Sequence, residues 1–385
     1  MEFSWIGILS VVGTFLISAF LGRVVIPRIV LISKKRRLFD DVSERKAHQG
    51  SVPRLGGLAF FPIFLTSFTV VLGAQFSIGY ELVSPHDVDF IREFLMVTGG
   101  AAILMFIGMI DDLRGISYKT KFLAQLASAG LLVGGGLWFN DLNGLMGIYH
   151  IPDWAGIPLT LLAVVFLVNA YNLIDGIDGL CAGLSMISIG ALGVWFVYNN
   201  LYIYGMLSAA ILGVLSMFFF YNTVFQRLKV FMGDTGSLLL GFLIAFLLLK
   251  FFRECPSVTP NIKPLSLLIG LVFIPVFDTM RVFVVRVSKK LSPFHPDRKH
   301  IHHQFLDLGF SHLRATGIII LIQVFFILLN VALYRLNINL MLAIDFVLWL
   351  SIMMTMQVFR RRKAKRRKRE SLSTKHPSAK ALKPS

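Results

Sequence analysis

The sequence predicts an all-α, polytopic integral membrane protein of about eleven transmembrane helices, with its N-terminus outside and its C-terminus cytoplasmic. Three observations predict this. The 385-residue chain is 56% hydrophobic, with a mean hydropathy of +0.73, too apolar for an ordinary soluble domain. Its apolar residues gather in repeated runs of about 20, the length needed to cross a hydrocarbon core about 30 Å thick. Basic residues are concentrated in alternate connections between those runs. A membrane β-barrel would instead alternate apolar and polar residues at period two, and these runs do not.

The first run, residues 5–31, has no basic segment ahead of it and no Ala-x-Ala-like site after it. It reads as a retained first span, with Arg23 and Arg28 reaching from its far end to the inner surface. Further runs follow at 54–77, 94–112, 121–139, 155–172, 182–198, 201–222, 236–250, 264–286, 314–333 and 338–359. Gly99-Gly100 and the glycines of 130–136 permit close helix contact, although glycine is also simply common in membrane spans. Two cysteines, Cys181 and Cys255, suggest no disulfide framework.

Orientation follows from lysine and arginine. The 32–54 connection carries Lys34, Lys35, Arg36, Arg37, Arg45, Lys46 and Arg54; 113–121 carries Arg114, Lys119 and Lys121; 287–311 carries Lys289, Lys290, Arg298 and Lys299. The intervening 140–154 connection has neither lysine nor arginine. Positive-inside bias with an odd number of spans then places the N-terminus outside. Residues 1–359 form one transmembrane domain, and 360–385 a basic, disordered cytoplasmic tail. Nine of the ten residues 360–369 are Lys or Arg, and the net charge is +17. Because the cluster follows a span directly, anionic membrane lipid explains it better than nucleic acid.

Five aspartates stand where a membrane protein least tolerates them. Asp111 and Asp112 close one apolar run, Asp175 and Asp178 lie in Asn169-Ala-Tyr-Asn-Leu-Ile-Asp-Gly-Ile-Asp-Gly-Leu180, and Asp234 precedes another run. Carboxylates near hydrocarbon are costly and mark function. The topology puts all five on the cytoplasmic face. On a continuing helix Asp111 and Asp112 point about 100° apart, so one can bind a metal while its neighbour serves a substrate. Asp175 and Asp178 share a face if helical, whereas Gly176 and Gly179 favour a broken segment that lets backbone approach a ligand. Asp234 or Ser237 could merely cap a helix. Carboxylate and amide ligands favour Mg²⁺, with Mn²⁺ as a substitute, over Zn²⁺.

A histidine-rich stretch, Pro293-Phe-His-Pro-Asp-Arg-Lys-His-Ile-His-His303, admits a zinc reading, but it has no cysteine. Its mixed charge suits a phosphorylated, hydroxyl-rich ligand, with Arg298 offering forked donors to phosphate. A second basic stretch, Arg45-Lys-Ala-His-Gln-Gly-Ser-Val-Pro-Arg-Leu-Gly-Gly57, lies just before a span. No P-loop or Rossmann fingerprint occurs. A transporter would place its carboxylates at the bilayer midplane, whereas these cluster at one edge.

Together these motifs resemble the polyprenyl-phosphate N-acetylhexosamine-1-phosphate transferases of glycosyltransferase family 4. The matching pieces are Arg45–His48 with Pro53–Gly57, Gly108–Arg114, Asn169–Leu180, Phe231–Ser237 and Pro296–His303. Ile301 interrupts the histidines, which makes the chain most like the branch that uses UDP-N-acetylglucosamine and undecaprenyl phosphate. UDP-N-acetylmuramoyl-pentapeptide is the less favoured donor. The resemblance implies a catalytic set of Asp111, Asp112, Asp175, Asp178 and Asp234. Asp234 is its best Mg²⁺ ligand, with Asp112 and Asp175 as further ligands, and Asp111 contacts the lipid phosphate. The implied substrate-binding set is His48, Lys119, Asn172, Asn222, Arg298, His300, His302 and His303. Asn222 is the least secure of these, because a Pro-Ala usual in the family is missing after it. The active-site connections are expected near 32–54, 111–121, 173–181, 223–235 and 287–311. Implied partners are the two substrates, anionic lipid and a second copy of the chain in a homodimer.

Overall fold

The computed structural model describes residues 4–36, 52–80, 88–259, 262–290 and 299–375 of the chain. Among them α1 (Trp5–Lys35), α2 (Phe60–Ser77), α3 (Val88–Arg114) and α4 (Tyr118–Gly134) come first. A ribbon of β1 (Asp141–Leu145) and β2 (Ile148–His150) follows, then α5 (Asp153–Ile174), α6 (Leu180–Tyr198), α7 (Tyr202–Thr223) and α8 (Gly233–Val258). The remainder is α9 (Pro264–Leu271), α10 (Phe273–Ser288), α11 (Ile301–Asp307), α12 (His312–Ala332) and α13 (Ile338–Lys375). Nine helices among the described residues are long and apolar enough to cross a membrane, or ten with the bent α9–α10 pair. The protein is therefore an α-helical polytopic membrane protein.

Each apolar run falls on helix, with three departures from expectation. The 121–139 run ends early: α4 stops at Gly134, and Gly136 at φ +90° turns the chain toward the ribbon. The 264–286 run is broken, its halves meeting at 76°. Pro275 has no N–H to give to Leu271. Gln323 fills the gap, accepting from Ile274 N–H at 2.9 Å and donating to the Gly270 and Leu271 carbonyls at 2.8 and 2.9 Å. Ser188 Oγ also donates to Leu271. Broken backbone survives in a membrane protein only where such partners satisfy it. Finally, residues 360–375, read from sequence as part of a disordered tail, continue α13 as helix.

α8 is the centre of the molecule. Its apolar window is enclosed on every side by protein, chiefly by α3, α5 and α6. Backbones approach closely there through glycine: a Cβ on Gly108 would sit 2.5 Å from Thr235 Cα, and one on Gly241 2.8 Å from Val168 Cα. Small residues allow this packing, which replaces the hydrophobic effect as the force between helices in lipid.

At the opposite end of α8 from Asp234, a buried charge network joins three helices. Lys250 Nζ lies 3.0 Å from Glu93 and 2.9 Å from Glu254, and Tyr204 OH donates to Glu93 at 2.7 Å. Removing the nearer cation leaves Glu93 only the more exposed Arg253 at 3.4 Å, and breaking a buried pair costs roughly 3 kcal/mol. Lys250→Met is therefore expected to lower the thermal midpoint in detergent markedly. Glu93→Gln on top of it should restore part of the loss; an additive second loss would refute the pairing argument.

Candidate active site

The site is assembled around the N-terminus of α8. Residues 53–57 lie along 231–232: Phe231 N–H donates to the Pro53 carbonyl at 2.9 Å, and Gly56 and Gly57 N–H donate to Phe231 and Met232, each at 3.0 Å. This backbone pairing joins two motifs that the sequence keeps far apart. Gly233, at φ +73°, then turns the chain into α8, and a Cβ there would meet the Arg54 carbonyl and lie 2.6 Å from Asp112 Oδ2.

Asp112 caps α8 from the end of α3. Its Oδ1 accepts from Asp234 N–H at 2.8 Å, and its Oδ2 accepts from Thr235 N–H at 2.9 Å and Thr235 Oγ1 at 2.6 Å. These are among the donors a helix N-terminus leaves unsatisfied. The cap read from sequence as Asp234 or Ser237 is thus supplied by Asp112. Capping by Asp112 leaves the Asp234 side chain facing the site.

Asp111 and Asp234 share one cation. Lys121, from the first turn of α4, places Nζ 2.8 Å from Asp111 Oδ2 and also pairs with Asp234 Oδ2. Asn172 Nδ2 donates to Asp234 Oδ1 at 2.8 Å and to Ser237 Oγ at 2.9 Å, and Ile116 N–H donates to Asp111 Oδ1 at 2.8 Å. The basic residue expected here was Lys119, which is exposed on α4 two residues earlier. A helical advance of two residues turns about 200°, enough to exchange one face for the other.

Asp175 and Asp178 lie in a turn between α5 and α6, so the broken alternative holds and the helical one does not. Burial, then the charges of Asp234 and Asp112, push the Asp175 carboxyl up to about 7. Burial also acts to raise Asp178. The hydrogen bonds and charges of His312 and Lys229 outweigh it and hold that carboxyl below its ordinary value. Lys229 Nζ lies 2.6 Å and His312 Nδ1 3.3 Å from Asp178 Oδ2. A carboxyl held low stabilises the folded chain above pH 3.8, and that contribution is lost as pH falls through its folded value. Lys229→Met is accordingly expected to lower thermal stability at neutral pH, with the gap to the parent closing as pH falls below 3.8 and through the folded value of Asp178. A gap independent of pH would remove this account of Asp178.

Asn222, expected among substrate contacts, faces inward. Its Oδ1 accepts from Gly179 N–H and its Nδ2 donates to the Val230 carbonyl at 2.8 Å. Both ends of the amide are engaged, so it ties the 175–179 turn to the strand-like segment that leads into α8.

The histidine segment packs on that same turn. A Cβ on Gly176 would lie 2.7 Å from His302 Cε1. His302 is buried, and burial followed by the neighbouring His303 lowers its pKa to about 3. It is therefore a neutral hydrogen-bonding ring at physiological pH. His300 Nδ1 donates to buried Asp278 at 2.8 Å, and Ile301 N–H donates to both Asp278 oxygens at 3.1 Å. Arg281 Nη2 donates to Asp278 and to the Lys299 carbonyl, each at 2.6 Å. Held this way, His300 keeps a buried Nε2, and His302 a buried Nδ1, without a hydrogen-bond partner among the described residues. His48 and Arg298 lie outside the described residues.

Sequence reasoning missed Lys121, Lys229, His312 and Asp278 as members of the site. Lys121 flanks a span and reads as a positive-inside charge, while Asp278 sits inside an apolar run, the one signal that marked it. Among the described residues no three His, Cys, Asp or Glu side chains gather as a metal cluster. Two carboxylates on one cation, Asp111 and Asp234, are the nearest arrangement.

Fold and site together define a polytopic membrane protein with a centre of carboxylates, lysine and histidine at the ends of its helices. The chain belongs to glycosyl transferase family 4, whose profile matches residues 94–252. Over 348 residues it is 33% identical to a probable undecaprenyl-phosphate N-acetylglucosaminyl 1-phosphate transferase of Bacillus subtilis (strain 168), covering 88% of this chain and 89% of the relative. It is also 33% identical, over 303 residues and 75% of each chain, to the undecaprenyl-phosphate alpha-N-acetylglucosaminyl 1-phosphate transferase of Escherichia coli (strain K12). A decaprenyl-phosphate N-acetylglucosaminephosphotransferase of Mycobacterium tuberculosis (strain ATCC 25618 / H37Rv) is 34% identical over 307 residues, 72% of this chain and 71% of the relative.

Proposed function

We propose that the protein transfers N-acetylglucosamine 1-phosphate from UDP-N-acetylglucosamine to undecaprenyl phosphate, releasing UMP. The observation that carries this reading is the Lys121-bridged pair of Asp111 and Asp234 at the N-terminus of α8, with His302 packed on the Gly176 turn. The relatives, which cover most of the chain, are described as carrying out the same kind of transfer. A phosphate oxygen of the acceptor attacks the β-phosphorus of the donor. The bond from that phosphorus to the bridging oxygen breaks, and the electron pair leaves with UMP.

Each group has a task in this displacement. Asp111 positions the acceptor phosphate and takes its proton where one remains; a phosphate monoester with a second pKa near about 6 is mostly ionised already. Lys121 offsets charge on the incoming phosphates. His302, neutral, and His300, oriented by Asp278, present ring nitrogens to the oxygens of the nucleotide sugar. Arg298 would add a forked contact to its diphosphate.

Asp111 and Asp234 fit a divalent cation. Both are hard oxygen donors, they already attract one cation in Lys121, and Mg²⁺ asks for only one or two carboxylates beside substrate phosphates. When bound there, Mg²⁺, or Mn²⁺ in its place, neutralises diphosphate charge and eases departure of UMP. Asp112 contributes by fixing α8, since its oxygens are taken up by the cap. Counting α4 and the bent α9–α10 pair as crossings gives eleven spans. The distribution of basic residues supports an outer N-terminus and a cytoplasmic site.

Purified full-length protein in detergent, supplied with UDP-N-acetylglucosamine labelled in the sugar, undecaprenyl phosphate and Mg²⁺, is expected to release UMP and form a labelled, extractable lipid. Labelling from a different UDP-amino sugar alone would reassign the donor. No UMP from any of them would overturn the reading.

A further inference from the structure

A groove of about 1010 Å³ lies between α11 and the cytoplasmic-end half of α13. Its α13 wall is one helix face. Ile352, Met356, Phe359, Lys363 and Arg366 recur at three- or four-residue steps, with Arg362 alongside. Phe305 and Phe310 close the facing wall and stack edge-to-face at 5.7 Å. Along this one stripe the chemistry changes from hydrocarbon to cationic, at the place where α13 leaves its apolar stretch. Phe310 and Phe359 remain 38% and 54% exposed, so the apolar end opens outward.

The basic extension is held against α11 and does not stand free. Arg360 pairs with Asp307 at 2.6 Å, and Lys363 Nζ donates to the Leu308 carbonyl. An apolar trough ending in Arg362, Lys363 and Arg366 complements an amphiphile with hydrocarbon at one end and a negative head at the other. A basic residue near an anionic membrane surface gains about fivefold in affinity each. A lipid with no net negative charge would complement the apolar trough alone.

We propose that this groove is a binding site for an anionic phospholipid, its acyl chain against Met356, Phe359 and Phe310 and its phosphate against Arg362, Lys363 and Arg366. The site is separate from the carboxylate centre yet shares α11 with it, because His302 on that helix packs on Gly176. Lipid in the groove would brace the histidine segment from behind.

The test uses the full-length protein in nanodiscs of phosphatidylcholine carrying a photoactivatable phosphatidylglycerol, with adducts mapped by peptide. Adducts are expected in the peptides spanning 305–310 and 351–366. The triple substitution Arg362→Gln, Lys363→Gln, Arg366→Gln should reduce them at least about tenfold, while labelling along α1 and α2 stays unchanged. A photoactivatable phosphatidylcholine should label the groove of the parent protein far less, and this comparison stands even if the triple variant fails to fold. Equal labelling by both probes would overturn the proposal. So would undiminished labelling of a folded triple variant, or displacement of the probe by glycerol phosphate or by undecaprenyl phosphate in place of phosphatidylglycerol. None of these readouts depends on turnover, so the outcome is independent of the transfer reaction proposed above.

Discussion

Asp234→Asn is expected to lower turnover by roughly a thousandfold, the upper range for losing one preorganised electrostatic group in an active site, and to leave the protein folded. The carboxylate answers Lys121 and takes a hydrogen bond from Asn172. An amide of the same shape still accepts from Asn172, but it carries no charge for Lys121 or for Mg²⁺. The fold should persist because the α8 cap comes from Asp112 and not from the Asp234 side chain. The measurement is UMP release across a Mg²⁺ series, beside a thermal melt of the same preparation. Turnover near that of the parent with an unaltered metal requirement would remove Asp234 from the chemistry.

Gly57→Ala is expected to act on the fold itself, costing about 3 kcal/mol and most of the yield of monodisperse protein. The added Cβ would run into the N and Cα of Gly236 and come within 2.9 Å of the Met232 carbonyl. These are backbone atoms, so no side-chain rotation relieves the clash. Two hydrogen bonds that seat residues 56–57 on 231–232 are lost with the approach. Gly73→Ala is the control, since its Cβ meets nothing within 4 Å. Size-exclusion profiles and thermal midpoints in detergent decide the matter; equal behaviour of the two variants would show that the contact can yield.

The positions of the helices were legible because hydropathy needs only neighbouring residues. The runs fall on helix apart from the end of 121–139, which turns away after Gly134, and the break within 264–286. A proline in an apolar run gives no hint that Gln323, from another helix, will satisfy the broken backbone. The aspartates were likewise legible, since a carboxylate beside hydrocarbon stands out in any sequence. Their division of labour was not. Asp111 and Asp112 are adjacent and chemically identical, yet one faces Lys121 and the other caps α8, a difference set by helix phase and by what lies opposite. Lys119 and Lys121 were indistinguishable for the same reason. The pairing of Asp178 with Lys229 and His312 joins residues 51 and 134 positions apart in the chain, beyond the reach of any local pattern.

The enclosure of α8 bears on how the protein is made. A helix with no lipid-facing side in the finished fold is still apolar enough to enter the bilayer by itself, before it docks on α3, α5 and α6. Its hydrophobicity serves insertion, and its glycines serve the contacts that come later. Between those stages Lys250 is without Glu93, its partner from α3. The active site, which rests on the first turn of α8, would form only when that docking is complete.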